Sequence, residues 1–155
     1  MWALRYVFAT ILVRCVMANA LAFAAEEKLC MALILIVDDQ ANVRTAVVQL
    51  LLSCNRPDLS VDQVSNGADA LRKLQAKKYD LLISDTEMPG MNGAELMHAV
   101  RADEKLKALP VIMMLAVGAA KQDVLDAVAL GISGFVIKPF KPDPLRAQVK
   151  KVLGW

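Results

Sequence analysis

Short apolar runs that alternate with amphipathic stretches are the feature that most constrains the fold of this sequence. From residue 31 onward, five such runs are each followed by a segment with helical periodicity, and no linker interrupts the series. The runs cover residues 33–37, 60–64, 80–84, 111–115 and 134–137. The first, third and fourth are nearly all apolar, as in strands buried on both faces. The pattern predicts five β–α units in a doubly wound parallel sheet.

The segments between the runs carry the signals of amphipathic helices. They cover residues 41–54, 68–76, 94–102, 121–130 and 144–153. In the first of them the apolar residues share one helical face, and these are Val43, Val47, Leu50, Leu51 and Cys54. Asn66-Gly67 precedes the second predicted helix and Gly131 follows the fourth, where turn and cap residues are expected.

Composition excludes several classes of function. The 155 residues are enough for one ordinary domain, and the formal net charge is only +2, with 18 basic residues scattered among 16 acidic ones. No basic stripe that would bind nucleic acid is present. The three cysteines, Cys15, Cys30 and Cys54, lack the spacing of a zinc site or a disulfide framework. Reduced thiols in a cytosolic protein fit this pattern best.

Residues 1–25 are almost free of polar side chains, so the segment 1–30 needs a separate explanation. Arg14 divides their apolar stretch into pieces too short for a stable membrane span. Met31 then opens a buried strand and reads as a natural start of the domain. We therefore predict a single domain at 31–155, with 1–30 as a start-site artefact or disordered extension. A weak membrane anchor and a secretory signal are the alternatives.

The charged residues of most interest stand where predicted strands end. Asp38 and Asp39 follow the first strand, Asp85 follows the third, and Lys138 follows the fifth. Ligands of doubly wound sheets bind beyond the carboxyl ends of the strands, near the point where the strand order reverses. We therefore expect these four side chains to converge at one edge of the sheet.

A cluster of this composition predicts a metal and a phosphoryl-transfer reaction. Gathered carboxylates repel one another and raise each other's pKa unless a cation lies among them. Oxygen ligands from distant segments favour Mg²⁺ over an EF-hand calcium loop. A carboxylate nucleophile, a divalent ion and a lysine are what transfer of a phosphoryl group to an aspartate requires.

Each of these residues also has a plainer interpretation. Asp38 and Asp39 alone would be read as a helix cap, Lys138 as a solvated charge, and Phe135 as core packing. Their occurrence in order and in the predicted context favours the site over the caps. His98 lies within a predicted helix, away from the strand ends, and is expected to be a half-exposed surface residue.

Three segments resemble the bacterial response-regulator receiver family, and most closely its single-domain, CheY-like members. They are LIVDD at 35–39, LISDTEMPGMNG at 82–93 and FVIKPF at 135–140. The resemblance spans residues 31–154, because 101–103, 108–110 and 131–135 also fall into register. It implies a flavodoxin-like α/β fold with strand order 2-1-3-4-5 and five helices.

The resemblance also implies roles for individual residues. Asp85 is the phosphoacceptor, Asp38 and Asp39 hold Mg²⁺ together with Asp85 and the Glu87 backbone carbonyl, and Phe135 is the aromatic switch residue. The groups expected to contact the phosphoryl group are Lys138, Thr86 and the Ala116 backbone N–H.

The family's partners follow from the same resemblance. The expected phosphodonor is a sensor histidine kinase or a histidine phosphotransfer protein, as in chemotaxis-type signalling. The expected output is a protein target bound at the face of the fourth helix, fifth strand and fifth helix. The location is expected to be cytoplasmic, with membrane contact only if residues 1–30 are a real anchor. No nucleic acid partner is expected.

Leu115 departs from the family pattern, which has Thr or Ser at the end of the fourth strand. Leucine cannot donate the hydrogen bond that the hydroxyl makes to a phosphoryl oxygen, a loss of about 1.5–3 kcal/mol of stabilisation. The alternative function is therefore a degenerate receiver that binds partners without switching. A phosphatase is disfavoured because Glu87 stands where its second aspartate belongs, so the chain is predicted not to be a turnover enzyme.

Overall fold

Strands and helices alternate along residues 32–155, the part of the chain that the computed structural model describes. The strands are β1 (Ala32–Val37), β2 (Leu59–Val64), β3 (Leu81–Asp85), β4 (Val111–Leu115) and β5 (Gly134–Ile137). The helices are α1 (Ala41–Leu52), α2 (Gly67–Ala76), α3 (Gly93–Ala102), α4 (Lys121–Ala129) and α5 (Pro142–Leu153). The five predicted β–α units are confirmed.

The five strands form one parallel sheet in the order β2-β1-β3-β4-β5, which confirms the predicted topology. The chain moves from β1 outward to β2, then crosses back to β3 and continues in the other direction. The order therefore reverses between β1 and β3, and a crevice is expected at their carboxyl ends.

Alternate residues of the central strands face two separate helical layers. Leu33, Leu35 and Val37 of β1 pack with buried residues of α2, α3 and α4. Ile34 and Ile36 of the same strand pack with buried residues of α1 and α5. Because β1, β3 and β4 are buried along their whole length, helices cover the sheet on both faces.

Element boundaries differ from the predictions by one or two residues. β3 includes Asp85 as its last residue, and Asp80 lies before the strand with its carboxylate accepting the Leu33 N–H at 2.8 Å. α1 ends at Leu52, so Cys54 lies beyond the helix, half-buried, with its thiol directed at the Leu50 carbonyl. α5 begins at Pro142, because proline is well suited to the first helical positions.

The predictions for residues 1–30, including Cys15 and Cys30, lie outside the described residues. Within residues 32–155, none of the helices combines the length and the apolar character needed to cross a membrane.

Candidate functional site

The strand ends that face the crevice bring the predicted charged residues together. Asp38 directly follows β1, Asp85 ends β3, and Lys138 directly follows β5. They meet in a cleft of about 610 Å³ whose lining includes Asp39, Asp85 and Lys138. The predicted convergence of four side chains from three distant segments is therefore what the structure shows.

Lys138 bridges two buried carboxylates. Its Nζ lies 2.7 Å from Asp38 Oδ2 and 2.7 Å from Asp85 Oδ2. Asp38 is fully buried and Asp85 is 3% exposed, so both ion pairs lie in a region that water hardly reaches. The Lys138 backbone N–H donates to the Leu115 carbonyl at 2.7 Å, which fixes the start of the lysine side chain to the sheet.

The pKa values of the paired groups move in the directions that this geometry dictates. Burial raises the pKa of Asp85 above its usual value; Lys138 opposes this and the nearby Asp38 charge adds to it. Burial alone would lower the pKa of Lys138, but its hydrogen bonds to Asp38 and Asp85 outweigh burial and raise it. The lysine is therefore held charged, whereas ionisation of Asp85 costs free energy.

Three carboxylates of the cleft are arranged as ligands of one cation. One oxygen each from Asp38, Asp39 and Asp85 lies within 4.8 Å of the other two. Oxygens that share one Mg²⁺ at about 2.0–2.1 Å are up to about 4.2 Å apart, so small movements suffice. The hard oxygen donors and the negative charge that Lys138 leaves uncompensated both fit Mg²⁺.

The loop after β3 places the other predicted contacts beside Asp85. The nearby Glu87 backbone N–H lowers the pKa of the Asp85 carboxyl in part. Glu87 and Ala116 both line the cleft. The Thr86 hydroxyl and N–H each donate to the Met114 carbonyl at 3.2 Å, so a phosphoryl contact from Thr86 requires one of these bonds to open.

The two predicted switch positions lie on the neighbouring strands β4 and β5. Leu115 ends β4, is 2% exposed, and lines a second cavity of about 730 Å³ between the loop after β3 and α4. Phe135 is half-buried on β5, opposite Met113 of β4. His98 is exposed on α3, outside the cleft, as expected for a surface residue.

Gly93 allows α3 to start against the backbone at the end of β3. A Cβ at this position would lie 2.3 Å from the Asp85 carbonyl oxygen and 2.8 Å from Thr86 Cα. A capping box holds the same helix end, with the Asn92 side chain accepting the Glu95 N–H and Glu95 accepting the Asn92 N–H, both at 2.9 Å. The backbone of Asp85 is thus fixed by packing that only glycine permits.

Arg44 is a site residue that the sequence reasoning missed. Its Nη1 donates to the Asp38 carbonyl at 2.8 Å and to the Asp39 carbonyl at 3.2 Å. A signal was available in the sequence, since a cation in the first turn of a helix opposes the helix dipole and calls for an explanation.

Comparison with known proteins agrees with this geometry. The response regulator receiver domain family model matches residues 34–150. The chain is 38% identical over 119 residues to the chemotaxis protein CheY of Pseudomonas aeruginosa strain PAO1, covering 77% of this chain and 94% of that protein. It is 36% identical over 121 residues to CheY-3 of Vibrio cholerae, covering 77% of this chain and 89% of that protein.

Solved structures agree as well. Chemotaxis response regulator CheY4 of Vibrio cholerae superposes with a TM-score of 0.71 at 32% identity, covering 79% of this chain and 99% of that one. A second neighbour is the receiver domain of a Pseudomonas aeruginosa sensor histidine kinase, solved with a magnesium ion coordinated in its active site cleft. It superposes with a TM-score of 0.70 at 26% identity, covering 80% of this chain and 98% of that one. This chain therefore belongs to the response regulator receiver family, and within it to the CheY-like type.

Proposed function

We propose that the chain is a receiver that accepts a phosphoryl group on Asp85 from a histidine kinase or a histidine phosphotransfer protein. The observation that carries the proposal is the placement of Lys138 Nζ at 2.7 Å from both Asp38 and Asp85, in a cleft that Asp39 also lines. The cleft thus combines a nucleophilic carboxylate, a lysine and two further carboxylates that could hold a divalent ion, the groups that phosphoryl transfer to an aspartate uses.

Each of these residues has a separate role in the proposed phosphoryl transfer. An Asp85 carboxylate oxygen attacks the phosphorus, the bond from phosphorus to the donor nitrogen breaks, and an acyl phosphate forms on Asp85. Lys138 is held charged, so it stabilises negative charge on the phosphoryl oxygens. Asp38, Asp39, Asp85 and the Glu87 carbonyl would hold Mg²⁺, which when bound neutralises the phosphoryl oxygens and orients them for in-line attack.

Exposed apolar residues support an output surface on α4 and β5. Leu125 and Val128 of α4 are 50% and 55% exposed, and Ile137 of β5 is 48% exposed. Exposed aliphatic residues grouped on neighbouring elements are typical of protein-binding surfaces. We propose this face, with α5, as the binding site of a downstream protein, and the cytoplasm as the location, because the phosphodonors act there.

Leu115 favours a second candidate function. This residue is 2% exposed at the end of β4 and offers no hydroxyl to a phosphoryl oxygen. A receiver without that hydrogen bond can be phosphorylated and yet fail to transmit the event to α4 and β5. The second candidate is therefore a protein-binding module whose affinity for its target does not depend on phosphorylation.

Acetyl phosphate provides the test of the acceptor. The full chain is incubated with acetyl phosphate, with and without Mg²⁺, and the intact mass is measured for wild type, Asp85→Asn and His98→Ala. We expect a Mg²⁺-dependent gain of one phosphoryl group in wild type and His98→Ala and none in Asp85→Asn. A gain retained by Asp85→Asn, or none in wild type, would reject Asp85 as acceptor. Continuous release of phosphate from monoesters would instead indicate a phosphatase.

A further inference from the structure

The loop between β1 and α1 is held by a side chain from within the helix that follows it. Arg44, the fourth residue of α1, is half-buried and turns back toward the helix start. Its Nη1 donates to the Asp38 carbonyl at 2.8 Å and to the Asp39 carbonyl at 3.2 Å. One guanidinium nitrogen therefore bridges the carbonyls of both acidic residues in the loop.

The position of this arginine contradicts the usual preferences of helices. The N-terminal turn of a helix carries partial positive charge, so acidic residues and side-chain caps stabilise it and cations do not. α1 has neither an acidic residue in its first turn nor a side-chain cap at Gln40. An arginine in this turn opposes the local rule, and such departures concentrate at functional sites.

The contacts of Asp38 show how closely the loop is defined. Its Oδ1 accepts the Gln40 N–H at 2.8 Å, its Oδ2 accepts from Lys138 at 2.7 Å, and its carbonyl accepts from Arg44. Backbone and side chain of this residue are both fixed. Asp39 is exposed, and its carbonyl accepts a hydrogen bond from Arg44 Nη1 at 3.2 Å.

We propose that Arg44 is a positioning residue for the metal site: it fixes the Asp38 and Asp39 backbone so that both carboxylates are preorganised for a divalent cation. The inference rests on the proposed function of the cleft as a Mg²⁺ site. Groups that orient metal ligands without touching the ion typically change metal affinity by about 10–100-fold when removed.

A geometric role and a purely electrostatic role of Arg44 predict opposite effects of its removal on Mg²⁺ affinity. A positive charge beside the cleft repels Mg²⁺, so if Arg44 acted only through its charge, its removal would tighten Mg²⁺ binding. If Arg44 acts by fixing the two carbonyls, removal loosens the loop and weakens Mg²⁺ binding. The sign of the change therefore distinguishes the two roles.

The experiment measures the Kd of Mg²⁺ for the full chain by ¹H–¹⁵N NMR titration. The variants are Arg44→Met, Arg44→Lys and the matched control Arg72→Met, in which an arginine with a 79% exposed side chain is removed from α2. We expect Arg44→Met to raise the Kd at least about tenfold. Arg44→Lys keeps the charge but lacks the planar guanidinium group, so we expect its Kd for Mg²⁺ to lie between those of wild type and Arg44→Met. Arg72→Met should bind Mg²⁺ like wild type.

An unchanged or lower Kd in Arg44→Met would overturn the inference. Thermal unfolding in EDTA shows whether the variant is folded, and saturating Mg²⁺ should restore its rate of phosphorylation by acetyl phosphate, since the acceptor and Lys138 are intact. If wild type binds Mg²⁺ but gains no phosphoryl group, the proposed function fails while the Kd comparison still decides the role of Arg44. If wild type binds no Mg²⁺, both fail.

Discussion

Asp85 stands in surroundings that do not favour its charge. Its carboxyl is 3% exposed, and the pKa is raised by burial and by Asp38 in spite of the ion pair with Lys138. The folded protein therefore binds a proton on Asp85 more readily than the unfolded chain does. At neutral pH the ionised acceptor lowers stability, and this cost disappears as the pH falls toward the usual value of 3.8.

Replacement of Asp85 by asparagine should accordingly stabilise the protein. We expect Asp85→Asn to raise the free energy of unfolding by about 0.5–2 kcal/mol at neutral pH in EDTA, as when a strained functional group is removed. The gain should shrink as the pH is lowered, because wild-type Asp85 becomes neutral first in the folded state. Urea unfolding of both proteins over a pH series measures this difference in the free energy of unfolding.

Asp143→Asn is the matched control for this comparison. Asp143 pairs with Arg146 on α5, and its side chain is 88% exposed, so its replacement should change stability little. Destabilisation by Asp85→Asn at neutral pH would show that the ion pair with Lys138 outweighs burial.

Leu115 is expected to limit the signal that phosphorylation sends to α4 and β5. In Leu115→Thr the new hydroxyl can bond a phosphoryl oxygen, so the phosphoryl mimic beryllofluoride should shift amide resonances of Ala129 and Ile137 further than it does in wild type. The loss of a buried leucine should lower stability by about 1–3 kcal/mol. Equal shifts in Leu115→Thr and wild type would show that Leu115 does not weaken the coupling between the phosphoryl site and the surface of α4 and β5.

The sequence revealed some site residues and not others for physical reasons. Asp38, Asp85 and Lys138 were predictable because parallel strands end at one edge of a sheet, where side chains from distant segments must meet. Arg44 acts through bonds to backbone carbonyls, and no residue pattern specifies which carbonyls a long flexible side chain reaches. Its role became visible only with the loop geometry.

The contact between α3 and β3 gives a prediction at the scale of elements. Gly93→Ala would place a Cβ against the Asp85 carbonyl, which as backbone cannot move aside. We expect overpacking to cost about 1–3 kcal/mol and slower phosphorylation by acetyl phosphate, because the acceptor strand is displaced. Unfolding and intact-mass time courses measure the two effects.

Gly134→Ala is the control for Gly93→Ala. Its Cβ would meet the side chain of Gln148, at 2.4 Å from Oε1, and a flexible side chain can turn away. We expect a smaller loss of stability and normal phosphorylation. Similar losses at both glycines would contradict the special role of the contact between α3 and β3.

Boundaries of elements were predicted less well than the elements themselves. The apolar pattern of β3 is clear, but Asp85 belongs to the strand because it pairs with Met114 of β4, and no local signal reports pairing with a strand so distant in sequence. α5 starts at Pro142 rather than at Pro144 because both prolines suit the first helical turn, and the earlier one begins the helix. Both differences arise from tertiary or positional context.

For the whole molecule, Mg²⁺ should act as a stabilising ligand. The three carboxylates are close together only in the folded state, so Mg²⁺ binds the folded chain in preference to the unfolded one. At ten times its Kd, Mg²⁺ should add about 1.4 kcal/mol, a rise in Tm of a few degrees. Differential scanning calorimetry with Mg²⁺ and with EDTA tests this.

Comparison with one variant makes the calorimetry specific. Asp39→Asn removes one proposed ligand while leaving the ion pairs of Lys138, so it should reduce the shift in Tm without changing the Tm in EDTA greatly. An equal rise of Tm in wild type and Asp39→Asn would mean that Mg²⁺ binds elsewhere or acts as general salt.

The residues of the site come from opposite ends of the domain sequence, and this has a consequence for protein engineering. The aspartates come from β1 and β3, whereas Lys138 comes with the short β5 and α5 segment, which rejoins the sheet beside β4 and packs through Leu145 and Val149. A chain divided between α4 and β5 has its acceptor in one fragment and its lysine in the other. If the fragments are fused to two interacting proteins, phosphorylation of Asp85 becomes a chemical record of their proximity.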